Sequence, residues 1–218
     1  MVARKHYVII DTNVKIEIQN VQKKLFYQTL INKKFEKSYI EKMWSEKFNN
    51  KGLEIWKSIW LFTHYGLEEN KIRQFKYRLL YCILPCGELL FKWKMKDTPT
   101  CLFCDSHDDY KHMFCKCTRL DFFWNKILHA FSKMGIGKIE NSLKTVIFGY
   151  KMRNKDYYWV NKILSLCYFI IFKSYCIGKD KKIDVYVLFR KEIDYRVHVM
   201  EKINSNFFLK LKTFIKYL

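Results

Sequence analysis

Four potential metal ligands lie close together in the middle of this chain, in the order Cys101, Cys104, His112 and Cys117. The two-residue gap within the first pair lets a single turn present two thiolates to one ion, as tetrahedral zinc sites require. The stretch between the ligands offers few apolar side chains for a core, so a bound metal is its natural organiser. The spacing predicts one structural Zn²⁺ ion, and four filled positions leave none open for catalysis.

Two neighbouring residues are rival ligands. Cys115 lies just before the last cysteine, and a Cys104-x2-His107 pair is geometrically possible, although it leaves His112 without a role. The alternative to a metal site is that the cysteines are ordinary core residues, because free cysteine is often buried. We favour that alternative for the cysteines beside apolar helical stretches, which are Cys82, Cys86, Cys167 and Cys176.

Turn-forming residues are scarce in this chain of 218 residues, which contains two prolines and seven glycines. Half of the residues are hydrophobic and 28% are charged, which excludes the disordered, collagenous and low-complexity classes. A chain of this length forms one medium or two small domains. We therefore predict a mostly α-helical fold with a small zinc-knuckle insertion at residues 101–117.

Apolar residues recur at helical spacing along most of the chain. Helices are predicted over residues 21–31, from a capping box at 38–41, near 53–60, and over 70–83, 88–94, 157–175 and 185–217. Thr118 is expected to cap one more helix. Its apolar face would pack on the helix that bears Phe75, Leu79 and Ile83. That face consists of Leu120, Phe123, Trp124, Ile127, Leu128 and Phe131. Residues 6–18 fit a small β-hairpin or an edge strand.

Positive charge is in large excess. Lysine and arginine total 41 and aspartate and glutamate total 21, so the formal net charge is +20, which is typical of proteins that meet polyanions. AT-rich coding DNA would also enrich lysine, so the charge permits nucleic-acid binding without proving it. An aromatic ring beside a cation can stack on an unpaired base while the cation meets a phosphate. The predicted contacts are Lys92, Trp93, Lys94, Tyr110 and Lys111, whereas Trp44, Trp56, Trp60 and Trp124 are predicted to be core residues.

No targeting or membrane-spanning segment is predicted. The N-terminus lacks the apolar core of a signal peptide. The longest apolar stretch, residues 163–172, falls well short of the ~20 residues that cross a bilayer. We expect a soluble protein of the nucleus or cytoplasm, where a cysteine cluster binds metal more readily than it forms disulfides.

The Cys/His motif extends into a longer pattern, in which Cys101-x2-Cys104 is followed by His112-Met113-Phe114-x2-Cys117 and then by Trp124. Further motifs lie at residues 24–27, 43–44, 55–60, 75–85, 146–149 and 161–173. This pattern resembles the reverse-transcriptase zinc-binding domain near the C-terminus of LINE-type non-LTR retrotransposon polyproteins. The resemblance runs from residue 21 to the end and is strongest over residues 75–128. It implies the same four zinc ligands, with Cys115 at a variable position.

The resemblance also implies an organisation in three regions. Residues 1–50 would correspond to the segment after the polymerase thumb, residues 51–134 to the helical zinc-binding domain and residues 135–218 to a basic helical C-terminal segment. The chain would be the C-terminal part of a longer element protein, and its partners would be element RNA or target DNA.

Catalytic motifs are absent from the sequence. It contains no phosphate-binding glycine-rich loop, no Gly-x-Ser-x-Gly elbow and no His-Glu-x2-His helix. A reverse transcriptase needs an aromatic-x-Asp-Asp turn for two metal ions. The single Asp-Asp pair here, Asp108-Asp109, lies instead between the predicted zinc ligands. We therefore predict that the chain is not an enzyme.

Two functions of different kinds remain. The first is zinc-dependent, non-enzymatic binding of RNA or of single-stranded or flapped DNA. The alternative is a zinc-stapled structural or protein-interaction module, such as an inactive retroelement fragment. Steep salt dependence of RNA binding would favour the first function, and salt-insensitive association with a protein would favour the second.

Overall fold

The structure is a computed structural model that describes residues 7–11, 14–17, 39–49, 53–178, 184–200 and 206–218. The chain divides into two compact units, Met1–Asn50 and Lys51–Leu218. The helix predicted over residues 21–31 and the Ser38 end of the predicted capping box lie outside the described residues. The described part is mostly helical, which confirms the predicted fold class.

The unit Met1–Asn50 contains a hairpin and one described helix. Strands β1 (Tyr7–Asp11) and β2 (Val14–Glu17) pair antiparallel, within the stretch for which a hairpin or an edge strand is predicted. Helix α1 (Tyr39–Lys47) buries the ring of Trp44, which stacks on Phe48 at a centroid distance of 5.7 Å.

The unit Lys51–Leu218 is built from helices and short helical turns. The helices are α2 (Leu53–Leu61), α3 (Asn70–Leu80), α4 (Gly87–Lys92), α5 (Asp121–Lys133), α6 (Leu143–Phe148), α7 (Tyr158–Ile177), α8 (Val185–Met200) and α9 (Asn206–Lys216). Two π-helical turns, Phe62–Gly66 and His112–Lys116, and two 3-10 turns, Thr118–Leu120 and Lys155–Tyr157, lie between them. The predicted regions 51–134 and 135–218 therefore belong to one compact unit.

Helix α7 supplies much of the core of this unit. Buried residues occur on all its faces, which is the pattern of a core helix. Phe75 on α3 contacts Phe169 and Phe172 on α7 at centroid distances of 5.7 and 5.6 Å. Among the described residues, the stretch Lys155–Ile177 has the length and hydropathy of a membrane span, but 67% of its most apolar window is buried. That burial is consistent with the core helix of a soluble protein.

Helix α5 carries the predicted apolar face, but the face has other partners. Its ring contacts are Trp124 with Tyr168 on α7, Phe123 with Phe189 on α8, and Phe131 with Phe214 on α9. Since Phe75 on α3 also contacts α7, the predicted apolar faces of α3 and α5 both pack on α7. Ile83 does not extend the stripe of α3, because it follows the end of the helix and is 50% exposed.

The start of α5 also differs from the prediction. Thr118 lies in the 3-10 turn that precedes α5, and no side chain caps either the turn or the helix. The residue before α5 is Leu120, whose backbone is already helical with φ −94° and ψ −6°. The 3-10 turn thus leads directly into α5 and leaves no extended position from which Thr118 could cap it.

One lysine is buried in the core of the larger unit. Lys76 on α3 is 3% exposed, and its Nζ donates hydrogen bonds to the main-chain oxygens of Val146 at 2.7 Å and Ile147 at 3.0 Å. These oxygens lie near the end of α6, where free carbonyl groups favour a cation. Burial nevertheless lowers the pKa of Lys76 to about 7.

Lys76 is expected to make the free energy of unfolding rise with pH. An unfolded lysine has a pKa of ~10.4, so above about pH 7 the unfolded chain binds more protons than the folded one. Urea unfolding of wild type and Lys76→Met at about pH 6 and about pH 9 measures the effect. The stability of wild type relative to the variant should increase above pH 7, by at most about 1.4 kcal/mol per pH unit.

The control for this experiment is Lys71→Met, because Lys71 is an exposed lysine on the same helix. Its stability relative to wild type should be the same at both pH values. A wild-type-to-Lys76→Met difference that does not change with pH would contradict the assignment.

Candidate metal centre

The structure brings the four predicted ligands together. One donor atom from each of Cys101, Cys104, His112 and Cys117 lies within 4.8 Å of the other three. The Sγ atom of Cys117 is 3.9 Å from that of Cys101 and 3.9 Å from that of Cys104. Nε2 of His112 is 3.2 Å from Sγ of Cys104. This group can hold a metal ion.

The two distances of 3.9 Å from the sulfur of Cys117 fit a tetrahedral zinc site. With Zn–S bonds of about 2.3 Å, a tetrahedron separates two sulfur ligands by about 3.8 Å. A disulfide would bring its sulfur atoms to about 2.05 Å, and all eight cysteines are free. Three thiolates and an imidazole suit zinc better than magnesium or calcium, which prefer oxygen ligands.

Two tight turns position the ligands. In the first, the main-chain N–H of Asp105 donates to the oxygen of Cys101 at 3.2 Å, which folds the Cys-x2-Cys pair around one point. In the second, the N–H of Cys117 donates to the oxygen of His112 at 3.0 Å. The N–H of His112 also donates to Oδ1 of Asp109 at 2.7 Å, which fixes where the second turn begins.

The second turn is anchored in the core by Phe114, which lies between the last two ligands. This ring is fully buried and contacts Phe75 at 6.1 Å and Tyr168 at 5.9 Å between centroids. Its main-chain oxygen accepts a hydrogen bond from Nε1 of Trp124 at 2.9 Å. Residues 101–117, called the Cys/His segment below, therefore contribute to the core of the larger unit.

The charges of the ligand thiols depend on one another and on a nearby arginine. A hydrogen bond between the thiols of Cys117 and Cys101 lowers the pKa of Cys101 to about 4 and raises the pKa of Cys117. The guanidinium of Arg119 lies 3.8 Å from the ring centroid of Phe103, and Nη1 donates to Oγ of Ser174 at 3.0 Å. Burial lowers the pKa of Arg119, and the negative charge of the thiolates opposes this. Zn²⁺ with three thiolates would carry one negative charge, which this half-buried cation would balance.

Neither rival ligand belongs to the cluster. Cys115 is buried outside the group of four donors, and burial raises the pKa of its thiol to about 12. His107 is exposed and lies 3.9 Å from a carboxylate oxygen of Glu88 on α4. The structure therefore separates both residues from the four clustered donors.

Sequence reasoning missed the role of Asp108, which is fully buried. Its Oδ2 accepts hydrogen bonds from the N–H of Gly87 at 2.7 Å and from the hydroxyl of Tyr175 at 2.5 Å. Burial raises the pKa of this carboxyl. A Cβ atom at Gly87 would lie 2.8 Å from Cβ of Asp108, so glycine is required for this close approach. Asp108 thereby joins the Cys/His segment to the start of α4 and the end of α7.

The predicted nucleic-acid contacts at the end of α4 are on the surface. Trp93 is 48% exposed, and Lys92, Lys94 and Lys111 are exposed as well. Lys92 forms an ion pair with Glu88, which raises the pKa of Lys92. Since α4 begins against Asp108 and ends at Lys92, Lys92 lies about 8 Å further along a helix that is fixed to the Cys/His segment, and Trp93 and Lys94 follow directly after it.

Tyr110 has a different environment from the other predicted contacts. It is 9% exposed, and its hydroxyl donates to the main-chain oxygen of Leu84 at 2.9 Å. Burial raises the pKa of this hydroxyl. The ring is therefore packed inside the protein and is not presented for stacking on a base.

Comparisons of the chain with protein-family models, with curated proteins and with solved structures find no match. The assignment of the site therefore depends on the four donor atoms and the distances between them.

Proposed function

We propose that the cluster of Cys101, Cys104, His112 and Cys117 binds one structural zinc ion. The observation that carries this proposal is the convergence of three sulfur atoms and one imidazole within 4.8 Å. The ion would fix the segment that lies against the start of α4, and with it the exposed surface formed by Lys92, Trp93, Lys94 and Lys111, called the α4 surface below.

We further propose that the α4 surface binds RNA or single-stranded or flapped DNA, without catalysis. The net charge of +20 supports this, because cations that neutralise phosphates supply most of the affinity for nucleic acids. Lys94 and Lys111 have no ion pair among the described residues, so their charges are available. The half-exposed Trp93 between two lysines supports stacking on an unpaired base.

The proposed setting is an intracellular protein that acts away from membranes, as the C-terminal part of a non-LTR retrotransposon polyprotein. Support for this origin comes from the sequence motifs around the four ligands and Trp124. The proposal of nucleic-acid binding does not depend on it, because charge and exposure support binding independently.

Binding of a fluorescent single-stranded oligonucleotide, measured by anisotropy across a salt series, tests the α4 surface. Each neutralised phosphate releases about 0.7 counterion on a single strand. Replacing Lys92, Lys94 and Lys111 with alanine should therefore flatten the slope of log affinity against log salt by about 2. Trp93→Ala should weaken binding by about 1–3 kcal/mol with little change in slope.

The control for Trp93→Ala is Phe122→Ala, which removes another exposed aromatic ring, on α5. It should leave binding unchanged. If neither the lysine nor the tryptophan substitutions alter binding, the α4 surface is not the nucleic-acid interface.

A second function is favoured by the apolar residues that flank Trp93 in the sequence. Phe91 and Met95 are 46% and 73% exposed, and exposed apolar side chains that lie together can mark a protein-interaction site. These residues would suit a zinc-stapled protein-interaction module. Association with a protein that is insensitive to salt and is lost in Trp93→Ala would favour this function over nucleic-acid binding.

A further inference from the structure

A second basic surface surrounds a cleft beside α6. The cleft has a volume of about 580 Å³ and is lined by α6, by residues just before it, by the loop at residues 149–154 that follows it and by Ile55 on α2. Ligand-binding clefts typically have volumes of ~300–1,000 Å³. This α6 cleft is distinct from the α4 surface, since the two share no residues.

The lining of the α6 cleft is strongly cationic. Lys138, Lys144, Lys151 and Arg153 line it, and they are opposed by a single acidic residue, Glu140. Lys138 and Lys144 are exposed and have no ion pair among the described residues. A concave site lined by charges of one sign concentrates ligands of the opposite sign.

The wall of the cleft is held from inside the protein by the buried Asn161 on α7. Its Oδ1 accepts from the N–H of Tyr150 at 2.8 Å, and its Nδ2 donates to the oxygens of Tyr150 at 2.8 Å and Tyr157 at 3.0 Å. Gly149 has φ +75°, and a Cβ there would lie 2.6 Å from Oδ1 of Asn161. These contacts fix the loop against α7, which reduces the ordering that a ligand would have to impose.

Lys151 is placed by two tyrosine rings, that of Tyr150 in the same loop and that of Tyr157 in the 3-10 turn that follows it. Its Nζ lies 5.3 Å from the ring centroid of Tyr150 and 4.8 Å from that of Tyr157, and it donates to the Tyr157 hydroxyl at 3.4 Å. The hydrogen bond to the Tyr157 hydroxyl raises the pKa of Lys151. The cation is thus positioned beside aromatic surface, as in sites that accept both a phosphate and a base.

We infer that the α6 cleft binds the phosphate backbone of a single-stranded nucleic acid. Lysines spaced along one cleft, with Lys138 and Lys144 unpaired by any acid among the described residues, suit successive phosphates, and a cleft of this volume takes a few nucleotides of one strand rather than a duplex. The inference rests on the proposed nucleic-acid function and adds a second contact region to it. A strand bound at both places would contact the larger unit on two separate surfaces.

The test compares the full chain with the double variant Lys138→Ala, Lys144→Ala. Binding of a fluorescent oligothymidylate is measured by anisotropy from low to moderate salt. Loss of two phosphate contacts should flatten the slope of log affinity against log salt by about 1.4 and weaken binding by roughly 10-fold or more near 0.1 M salt. The matched control is Lys191→Ala, Lys216→Ala, which removes two exposed lysines from α8 and α9. It should change binding less than twofold.

Three results of this comparison would overturn the inference, and they are distinguishable. In the first, the double variant Lys138→Ala, Lys144→Ala binds the oligonucleotide like wild type while the double variant Lys92→Ala, Lys94→Ala binds it more weakly. The cleft is then not a contact region, and the proposed function stands. If the cleft double variant and the control double variant weaken binding equally, the effect comes from the overall charge of the protein. If wild type binds no oligonucleotide, the proposed function fails as well.

Competition with inorganic tripolyphosphate tests whether the ligand of the cleft is a nucleic-acid strand or free polyphosphate. At equal phosphate concentration, the oligonucleotide should displace the labelled strand at least 10-fold more effectively, because a strand reaches further contacts outside the cleft. Equal displacement by tripolyphosphate would identify the cleft as a site for free polyphosphate and would overturn the assignment to a strand.

Discussion

Replacing Cys117 with serine is expected to abolish binding of one equivalent of zinc and to unfold the segment 101–117. The Sγ atom of Cys117 lies 3.9 Å from the Sγ atoms of both Cys101 and Cys104, so its loss removes the ligand that links the first pair to the second turn. Structural zinc contributes roughly 10–16 kcal/mol in zinc-finger peptides, far more than so short a segment buries. Native mass spectrometry gives the zinc content, and urea unfolding gives the loss of stability.

Cys115→Ser is the matched control for this substitution. Cys115 lies two positions before Cys117 but outside the cluster, so the variant should keep one zinc per chain. Its stability should fall only modestly, since a hydroxyl replaces a buried thiol. Zinc loss in Cys115→Ser, or full zinc content in Cys117→Ser, would show that the ligand set is wrong.

The second large effect is expected for Trp124→Ala, which should lower the free energy of unfolding by about 3–5 kcal/mol. Trp124 is 4% exposed, and its ring contacts Phe123 at 5.1 Å and Tyr168 at 5.5 Å between centroids. Its Nε1 also donates a hydrogen bond to the main-chain oxygen of Phe114. Loss of the ring would therefore leave a cavity, and loss of the donor would leave a buried carbonyl group unpaired. Urea unfolding of the zinc-loaded protein measures the change.

Two variants on the same helix separate the contributions of Trp124. Trp124→Phe keeps most of the ring but loses the hydrogen bond to Phe114, and should cost less than Trp124→Ala. Phe122→Ala removes a ring that is 55% exposed and should change stability by less than about 1 kcal/mol. If Trp124→Ala cost no more than Phe122→Ala, the proposed role of Trp124 in linking the turn to the core would be excluded.

Local patterns in the sequence predict much of this structure. The spacing of Cys101, Cys104, His112 and Cys117 is sufficient to identify the cluster, because turns of a few residues bring such ligands together. The face of α5 follows from periodicity, since a helix places every third or fourth residue on one side. The α-helical class follows from the scarcity of proline and glycine.

Partners distant in sequence are not visible in such patterns. Asp108 binds the hydroxyl of Tyr175, and Lys76 binds the carbonyl oxygens of Val146 and Ile147, in each case more than 60 positions along the chain. Neither residue differs locally from a surface residue of the same type, because burial and partners depend on tertiary packing. The burial of Tyr110 could not be predicted for the same reason, because a tyrosine beside a lysine has the same local sequence whether its ring is buried or exposed.

The burial of Phe114 between two ligands has a consequence for how much folded protein a cell would contain. A metal that holds His112 and Cys117 would also hold the segment that places this ring in the core, so zinc binding would add to the stability of the folded unit. A ligand at 100 times its dissociation constant adds about 2.7 kcal/mol to the stability of the folded state. When zinc is scarce, more chains would be open to proteolysis. The abundance of the protein would then follow the supply of free zinc, independently of how fast it is made.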